Sequence, residues 1–329
     1  MGALTAGLSG LTALVSDLAS GARARGTVWG YRGAWTAVRR MPERAAYGAF
    51  DAVADLMVRR GGKGLARMRA NYAKVRPELD DKALDALVRE GMRSYLRYFC
   101  EAFRLPDRTP ADLDRMCRAV NDEAVRASLS AGRSAVIFIA HMGNWDIAGA
   151  WSTSHLAPVT TVAERLKPEE VFREFFEFRA SLGMTILPLT GGPNPFTGLR
   201  AAVERGDFIA LVSDRDLTSN GVEVDFFGER ARMAKGPALL ALLTGAPLYA
   251  ASIHFAPAGP GRGAAGRETV VTFSDEIPVP ADGDNAAKAQ AMTQACAAYL
   301  EGPIREHTAD WHMMQRVFVE DLDPARTGK

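Results

Sequence analysis

The segment "AVIFIAHMGNWDIAGAW", residues 135 to 151, carries a histidine, His141, at the end of an apolar run and an aspartate, Asp146, five positions later. An imidazole with one nitrogen held by a carboxylate has a fixed tautomer. Its other nitrogen is then a base that can take a proton from a hydroxyl, and the imidazolium so formed is stabilised. The spacing predicts that Asp146 reaches the His141 ring across a tight turn. No G-x-S-x-G elbow occurs in the chain. The pair therefore fits direct attack by a bound alcohol on an activated acyl group better than a covalent acyl-enzyme. The non-chemical reading is a helix start with an acidic first turn beside a packed histidine. His155, His254, His307 and His312 show no ligand spacing such as H-x-x-x-H, so no metal and no resident cofactor is expected.

Such a pair has to be held by a frame. The run before His141 reads as a strand, Gly143 permits a sharp turn, and a helix begins at Asn144 or its neighbours. Similar β-branched runs recur at 159–164, 185–189, 208–213, 247–255 and 269–274. Most are apolar throughout, as strands covered on both faces are. Helical stretches at 144–154, 168–182, 196–205 and 235–244 alternate with them, and a last long helix covers roughly 285–300. The alternation predicts an α/β fold, a central, largely parallel sheet flanked by helices. Ligands of such sheets bind outside the carboxyl ends of the strands, where His141 stands. Asp214, Arg215 and Asp216, in "LVSDRDL", follow another buried strand and belong to the same edge. Up to about residue 130 the pattern is helical. The chain thus reads as a helical N-terminal portion (1–130) packed on an α/β core (131–329), forming one integrated domain.

The 329 residues have a net charge of only +1, and nothing in that total suggests nucleic acid. The distribution says more: residues 1–76 carry an excess of +9, and the remainder is net acidic by 8. An anionic surface or ligand would meet the basic part. Leu4, Leu8, Leu11, Val15 and Leu18 form one stripe of a helix, followed by Arg23, Arg25, Arg32, Arg39 and Arg40. The stripe can pack on the body of the protein or lie in a bilayer surface with the arginines on lipid phosphates. No apolar run reaches the roughly 18–20 residues of a spanning helix. Cys100, Cys117 and Cys296 lie far apart, with neither a disulfide framework nor zinc spacing, which points to the cytosol.

"AHMGNWD" resembles the H-x-x-x-x-D motif of the glycerolipid acyltransferases. The version is that of the bacterial late acyltransferases of lipid A synthesis and their actinobacterial relatives, the phosphatidylinositol mannoside acyltransferases. Further segments support the likeness in the family's order: "FEFRASLGMTILPL", "LVSDRDLTSNGVEVDFFGERARMAKGPALLALLTGAPL", and "DWHMMQRVF", which is similar to the mannoside enzymes' closing "DWHMLQ". "GYRGAWTAVRRMPE" and "MRANYAKVRPEL" also look like that branch. Lipid A enzymes usually carry Glu where Asp146 stands and a single N-terminal membrane helix, and this chain has neither.

The resemblance implies transfer of a long acyl chain, typically palmitoyl, from acyl-CoA as co-substrate to the 6-hydroxyl of a mannose on a phosphatidylinositol mannoside. The setting would be the cytoplasmic face of the cell membrane, bound peripherally to its anionic surface. His141 and Asp146 would be catalytic. Arg179 matches the family's arginine and is a candidate oxyanion donor with the N–H groups of the following helix start. Asp214 and Asp216 would organise the site or pair with Arg179, and Asn144 and Trp145 join the substrate-binding residues. A downstream glutamate joins the histidine in the mannoside enzymes. Glu223 is taken as its equivalent, with Asp225 and Glu229 as competitors, since a carboxylate accepts well from neighbouring hydroxyls. Phe172, Phe175, Phe176 and Phe178 are rich enough in apolar surface to line an acyl slot. Phe226 and Phe227 are read as core. The alternatives are a lysophospholipid or lipid A type acceptor, water as acceptor in a thioesterase, and a catalytically silent lipid-binding scaffold.

Overall fold

The computed structural model describes residues 36–163, 169–216 and 220–322. The leucine stripe and Arg23, Arg25 and Arg32 lie outside them. Arg39 lies inside and is ion-paired with Asp107. Helices α1 (Glu43–Arg60), α2 (Lys63–Val75) and α3 (Asp81–Arg104) form the N-terminal portion. Asp80 starts α3 by accepting from the Ala83 N–H at 2.7 Å, satisfying one of the first-turn donors that a helix cannot pair internally. Leu84, Val88, Met92, Tyr95, Phe99 and Ala102 recur at helical spacing on its buried side. That stripe belongs to the same continuous apolar core as the sheet, so the helical portion is part of the core domain.

The reading of a helical pattern up to residue 130 needs one correction. Thr109 and Asp112 make a capping box that starts α4 (Pro110–Met116), and Cys117–Val120 then leaves the helix as strand β1. It pairs in parallel with β9, closing an edge that would otherwise leave backbone groups unpaired. The helical portion therefore ends near residue 116. α5 (Glu123–Ser130) leads to β2 (Ala135–Ile139), every residue of which is buried.

The order continues with α6 (Trp145–His155), β3 (Val159–Ala163), α7 (Glu169–Ser181), β4 (Thr185–Pro188), α8 (Pro195–Arg205) and β5 (Phe208–Val212). A hairpin, β6 (Val222–Phe226) and β7 (Glu229–Met233), precedes α9 (Gly236–Thr244), β8 (Leu248–Pro257), β9 (Arg267–Phe273) and α10 (Asn285–Glu306). The seven-stranded sheet runs β1-β9-β8-β2-β5-β3-β4. Only β8 and β9 are antiparallel in it; the other pairs are parallel. β2 and β5 are in register from Ala135–Phe208 to Ile139–Val212. Their carboxyl ends, and the residues just beyond, therefore arrive side by side. Among the described residues no helix is long and apolar enough to cross a membrane.

Candidate active site

Beyond Ile139 the chain turns through His141, Met142 and Gly143 into α6. Gly143 has φ 59°, and a Cβ there would lie 2.4 Å from the Ile253 carbonyl oxygen. Only glycine lets the turn approach β8 so closely. Asn144 is fully buried and caps α6, its Oδ1 accepting from the Ile147 N–H at 3.0 Å. Its amide Nδ2 donates to Glu101 of α3 at 2.8 Å. Asn144 is thus a positioning element of the turn.

The partner of the His141 ring is Asp214. His141 Nδ1 lies 2.5 Å from Asp214 Oδ1, and the His141 backbone N–H donates to Oδ2 at 3.0 Å. The indole Nε1–H of Trp311 also donates to Oδ2, at 2.9 Å. Asp214 has no exposure at all, whereas the His141 side chain keeps 23%. Burial pushes the Asp214 carboxyl up, but the imidazole and these donors outweigh it and hold the group below the ordinary carboxylate range. A buried carboxylate on Nδ1 with the rest of the ring toward the cavity is the arrangement that fixes the Nδ1–H tautomer and leaves Nε2 as base.

The expected contact between Asp146 and His141 is absent among the described residues. Asp146 lies in the first turn of α6 and faces α3 and α7: Arg179 Nε donates to Oδ1 at 2.7 Å, and the Tyr98 hydroxyl donates to Oδ2 at 2.7 Å. Once the turn passes into a helix, the carboxylate five positions on is taken up by Tyr98 and Arg179 instead of the ring. Arg179 is accordingly tied to Asp146. Burial lowers and the Asp146 charge raises the affinity of Arg179 for its proton, with a net shift upward. Burial, and after it the same carboxylate, drive the Tyr98 phenol well up.

A cavity of about 250 Å³ opens at His141 and runs along one face of the sheet beneath α6 and α3. Trp145, Asp146, Arg179, Arg215 and His312 border it with His141, and Tyr95, Tyr98 and Phe99 of α3 form its roof. Its floor is apolar: Ile253 and Val271, then Ile139, Val212 and Ala251, then Ile137 and Ala210, then Phe208 and Val159. These residues are of one parity on adjacent strands, so they share a face. Trp145 lies against Tyr98 with centroids 4.4 Å apart and the rings tilted by 33°, and meets His141 edge-on at 6.2 Å.

Other expected residues fall elsewhere. Glu223 sits on the β6–β7 hairpin, ion-paired with Arg230, and Asp225 and Glu229 are exposed on the same hairpin. None of the three borders the cavity. The Asp216 N–H donates to the Arg232 carbonyl at 2.8 Å, anchoring the hairpin, and Asp216 also lies off the cavity wall. Phe178 is buried but does not line the cavity, nor does Phe176; the Phe172 and Phe175 side chains lie outside the described residues. Phe226 is fully buried against Trp311 and Phe318, as a core residue should be.

The "DWH" of the closing motif was quoted above without a role, and it is a structural partner of the turn. The Gly143 N–H donates to the Asp310 carbonyl at 2.9 Å, and the His312 N–H donates to the His141 carbonyl at 2.8 Å. Met142 and Trp311 form an antiparallel bridge. The Asp310 carboxylate accepts from Ser94 at 2.6 Å, and Ser94 Oγ lies 2.9 Å from His312 Nε2. Because Ser94 spends its proton on Asp310, His312 must donate from Nε2. Burial and nearby His141 push His312 down to about 3, so it stays neutral. Tyr98 and Ser94 had no signal in the sequence beyond their place on an amphipathic helix.

The family of bacterial lipid A biosynthesis acyltransferases matches this chain over residues 20–320. A phosphatidylinositol mannoside acyltransferase of Mycolicibacterium smegmatis is 40% identical over 301 residues, 91% of this chain and 94% of that protein. The one from Mycobacterium tuberculosis is 39% identical over 328 residues, 98% of each. With its strand-end histidine, acidic partner and apolar slot in place, the chain belongs to the bacterial lipid A biosynthesis acyltransferase family.

Proposed function

We propose that this protein moves a long acyl chain, palmitoyl in the first instance, from acyl-CoA to the 6-hydroxyl of a mannose on a phosphatidylinositol mannoside. The names of its relatives support the acceptor, and the apolar cavity that ends at His141 carries the reading. Six residue steps at about 3.3 Å each separate the His141 row from Phe208, roughly 20 Å in all. An extended hydrocarbon with ~1.5 Å bonds and ~111° angles advances about 1.25 Å per carbon, so about sixteen carbons fit that length.

In this reading the thioester lies at the His141 end with its chain in the slot. His141 Nε2 takes the proton of the sugar hydroxyl as its oxygen attacks the thioester carbon. Asp214, on Nδ1, stabilises the imidazolium. The tetrahedral oxyanion is met by N–H groups at the start of α6, which have no partner within the helix. The C–S bond then breaks, and the imidazolium proton goes to the thiolate of CoA. The Asp146–Arg179 pair fastens α7 to the start of α6 and so keeps the slot mouth in shape. The reaction would take place at the cytoplasmic face of the cell membrane, with the basic residues 1–76 on anionic lipid.

The test is incubation of the full chain with palmitoyl-CoA and a phosphatidylinositol mannoside, read by mass spectrometry. The expected products are an acyl ester on mannose and free CoA, both abolished in His141→Ala. CoA release at full rate without acceptor would make the protein a thioesterase, and transfer only to a lysophospholipid would reassign the acceptor.

A further inference from the structure

Trp311 is fully buried, and the one polar atom of its side chain is spent on Asp214. We propose that Trp311 is a positioning residue of the catalytic pair: its indole N–H grips the second oxygen of Asp214 and sets how strongly that carboxylate draws on the His141 ring. The inference rests on His141 acting as the general base.

Among the described residues three donors meet the Asp214 carboxylate, and two of them belong to His141 itself, the ring Nδ1 and the backbone N–H. Trp311 is the donor that comes from outside the turn. Its ring is held edge-on to Phe226 of the hairpin at 6.1 Å, and its carbonyl accepts from the Tyr72 hydroxyl of α2 at 2.9 Å. The indole is therefore fixed from two sides before it touches the carboxylate. A hydrogen bond to the charged form of a carboxylate makes it less basic. Without the indole, Asp214 keeps only the imidazole and one backbone N–H, and its charge is directed more fully at the ring. The imidazolium becomes easier to form, and the carboxylate becomes freer to turn.

The other ionisable groups around His141 do not duplicate this grip. His312 is neutral and spends Nε2 on Ser94; the Asp146 carboxylate is held by Arg179 and Tyr98; Arg215 borders the cavity; Asp216 lies off the cavity wall, its backbone N–H on the hairpin. Asp310 is occupied by Ser94 and by the Phe255 N–H.

The test is Trp311→Phe, which keeps an aromatic ring and removes the N–H. The acidic limb of kcat/KM, which reports the base in the free enzyme, should move up by roughly half to one pH unit. kcat should fall on the order of tenfold, with KM for palmitoyl-CoA unchanged. In an Asp214→Asn background the same change should cost less than twofold, because residues acting through one another are not additive. Equal costs in both backgrounds, or an unmoved limb in a folded variant, overturn the inference. If Trp311→Phe does not fold, the wild-type chain decides. The Trp311 indole N–H resonance must titrate together with the His141 ring, and a flat indole overturns the proposal. These resonances are read whether or not acyl transfer occurs. A chain that acylates no glycolipid but shows the coupled titration therefore refutes the proposed reaction and not the grip.

Discussion

Replacing Asp214 by Asn tests the structure most directly, because the amide has the same shape and the surroundings dictate how it must lie. Two donors converge on the Oδ2 position, the His141 N–H at 3.0 Å and the Trp311 indole at 2.9 Å. Only the amide oxygen can accept them, so the NH2 group must face Nδ1 of the ring, 2.5 Å from the present Oδ1. An NH2 and an Nδ1–H cannot both donate. The ring therefore moves its proton to Nε2, the nitrogen that has to be bare. In a serine-protease triad the same exchange costs about 10⁴ in kcat, or ~5.5 kcal/mol of barrier. A loss of 10³–10⁴ is expected here, on the order of that precedent, with little change in KM for acyl-CoA. Asp146→Asn should behave differently. It strands Arg179, whose side chain is 18% exposed against 2% for Asp146, at a stability cost of about 3–5 kcal/mol. A Tm lower by roughly 4–7 °C should accompany a milder fall in kcat. The assay is palmitoyl transfer over a pH range, with ¹⁵N spectra of the histidines to read the tautomer. An Asp214→Asn enzyme within tenfold of wild type at every pH, with its proton still on Nδ1, would refute the reasoning.

Ala210 lies on the cavity floor about two-thirds of the way along the slot from the His141 row, so Ala210→Phe should shift donor preference from palmitoyl-CoA toward chains of about ten carbons or fewer. An unchanged chain-length profile would place the acyl group elsewhere. His254 is driven down to about 4 by burial, the stacked His307 and Arg118, and His312 down to about 3 by burial and His141. Unfolded imidazoles take up protons below their ordinary value of 6.5 while these two do not. The unfolded state therefore binds more protons as pH falls from 6.5 toward 4, and stability is lost across that window. Thermal unfolding from pH 7 to 4.5 should show it, with a shallower slope in His254→Phe; parallel slopes would remove His254 from the effect. Replacing Arg23, Arg25, Arg32 and Arg40 by Gln should weaken partition onto anionic liposomes in a salt-dependent way, and unchanged partition would leave the basic region without a lipid role.

What could be read from the residues alone was set by short-range patterns. Runs such as "SAVIFIA" and "FIALVS" are buried on both faces and so apolar throughout, and they became β2 and β5 with ends within two residues of expectation. His141 was legible because a charged-capable ring after such a run has no packing reason to be there, and the turn because Gly143 follows it. The orienting carboxylate was misread for the opposite reason. Spacing along the chain says little about direction in space once a turn enters a helix, so Asp146 left the ring. Its replacement comes 73 positions away, at the end of the neighbouring parallel strand. That adjacency follows from the β2–β5 register, which no local pattern encodes. The contacts of Ser94, Tyr98, Trp311 and His312 are long-range for the same reason. β1 was hidden because a four-residue edge strand is decided by the partner it finds rather than by its own sequence.

The catalytic turn is braced by segments far apart in the sequence, through Glu101 on Asn144 and Tyr98 on Asp146, and through residues 310–312. The ring is therefore poised only once distant parts of the chain have met, which couples the chemistry to completeness of the fold. A partly opened molecule keeps the imidazole but not its setting, and so has little means to squander a thioester on water.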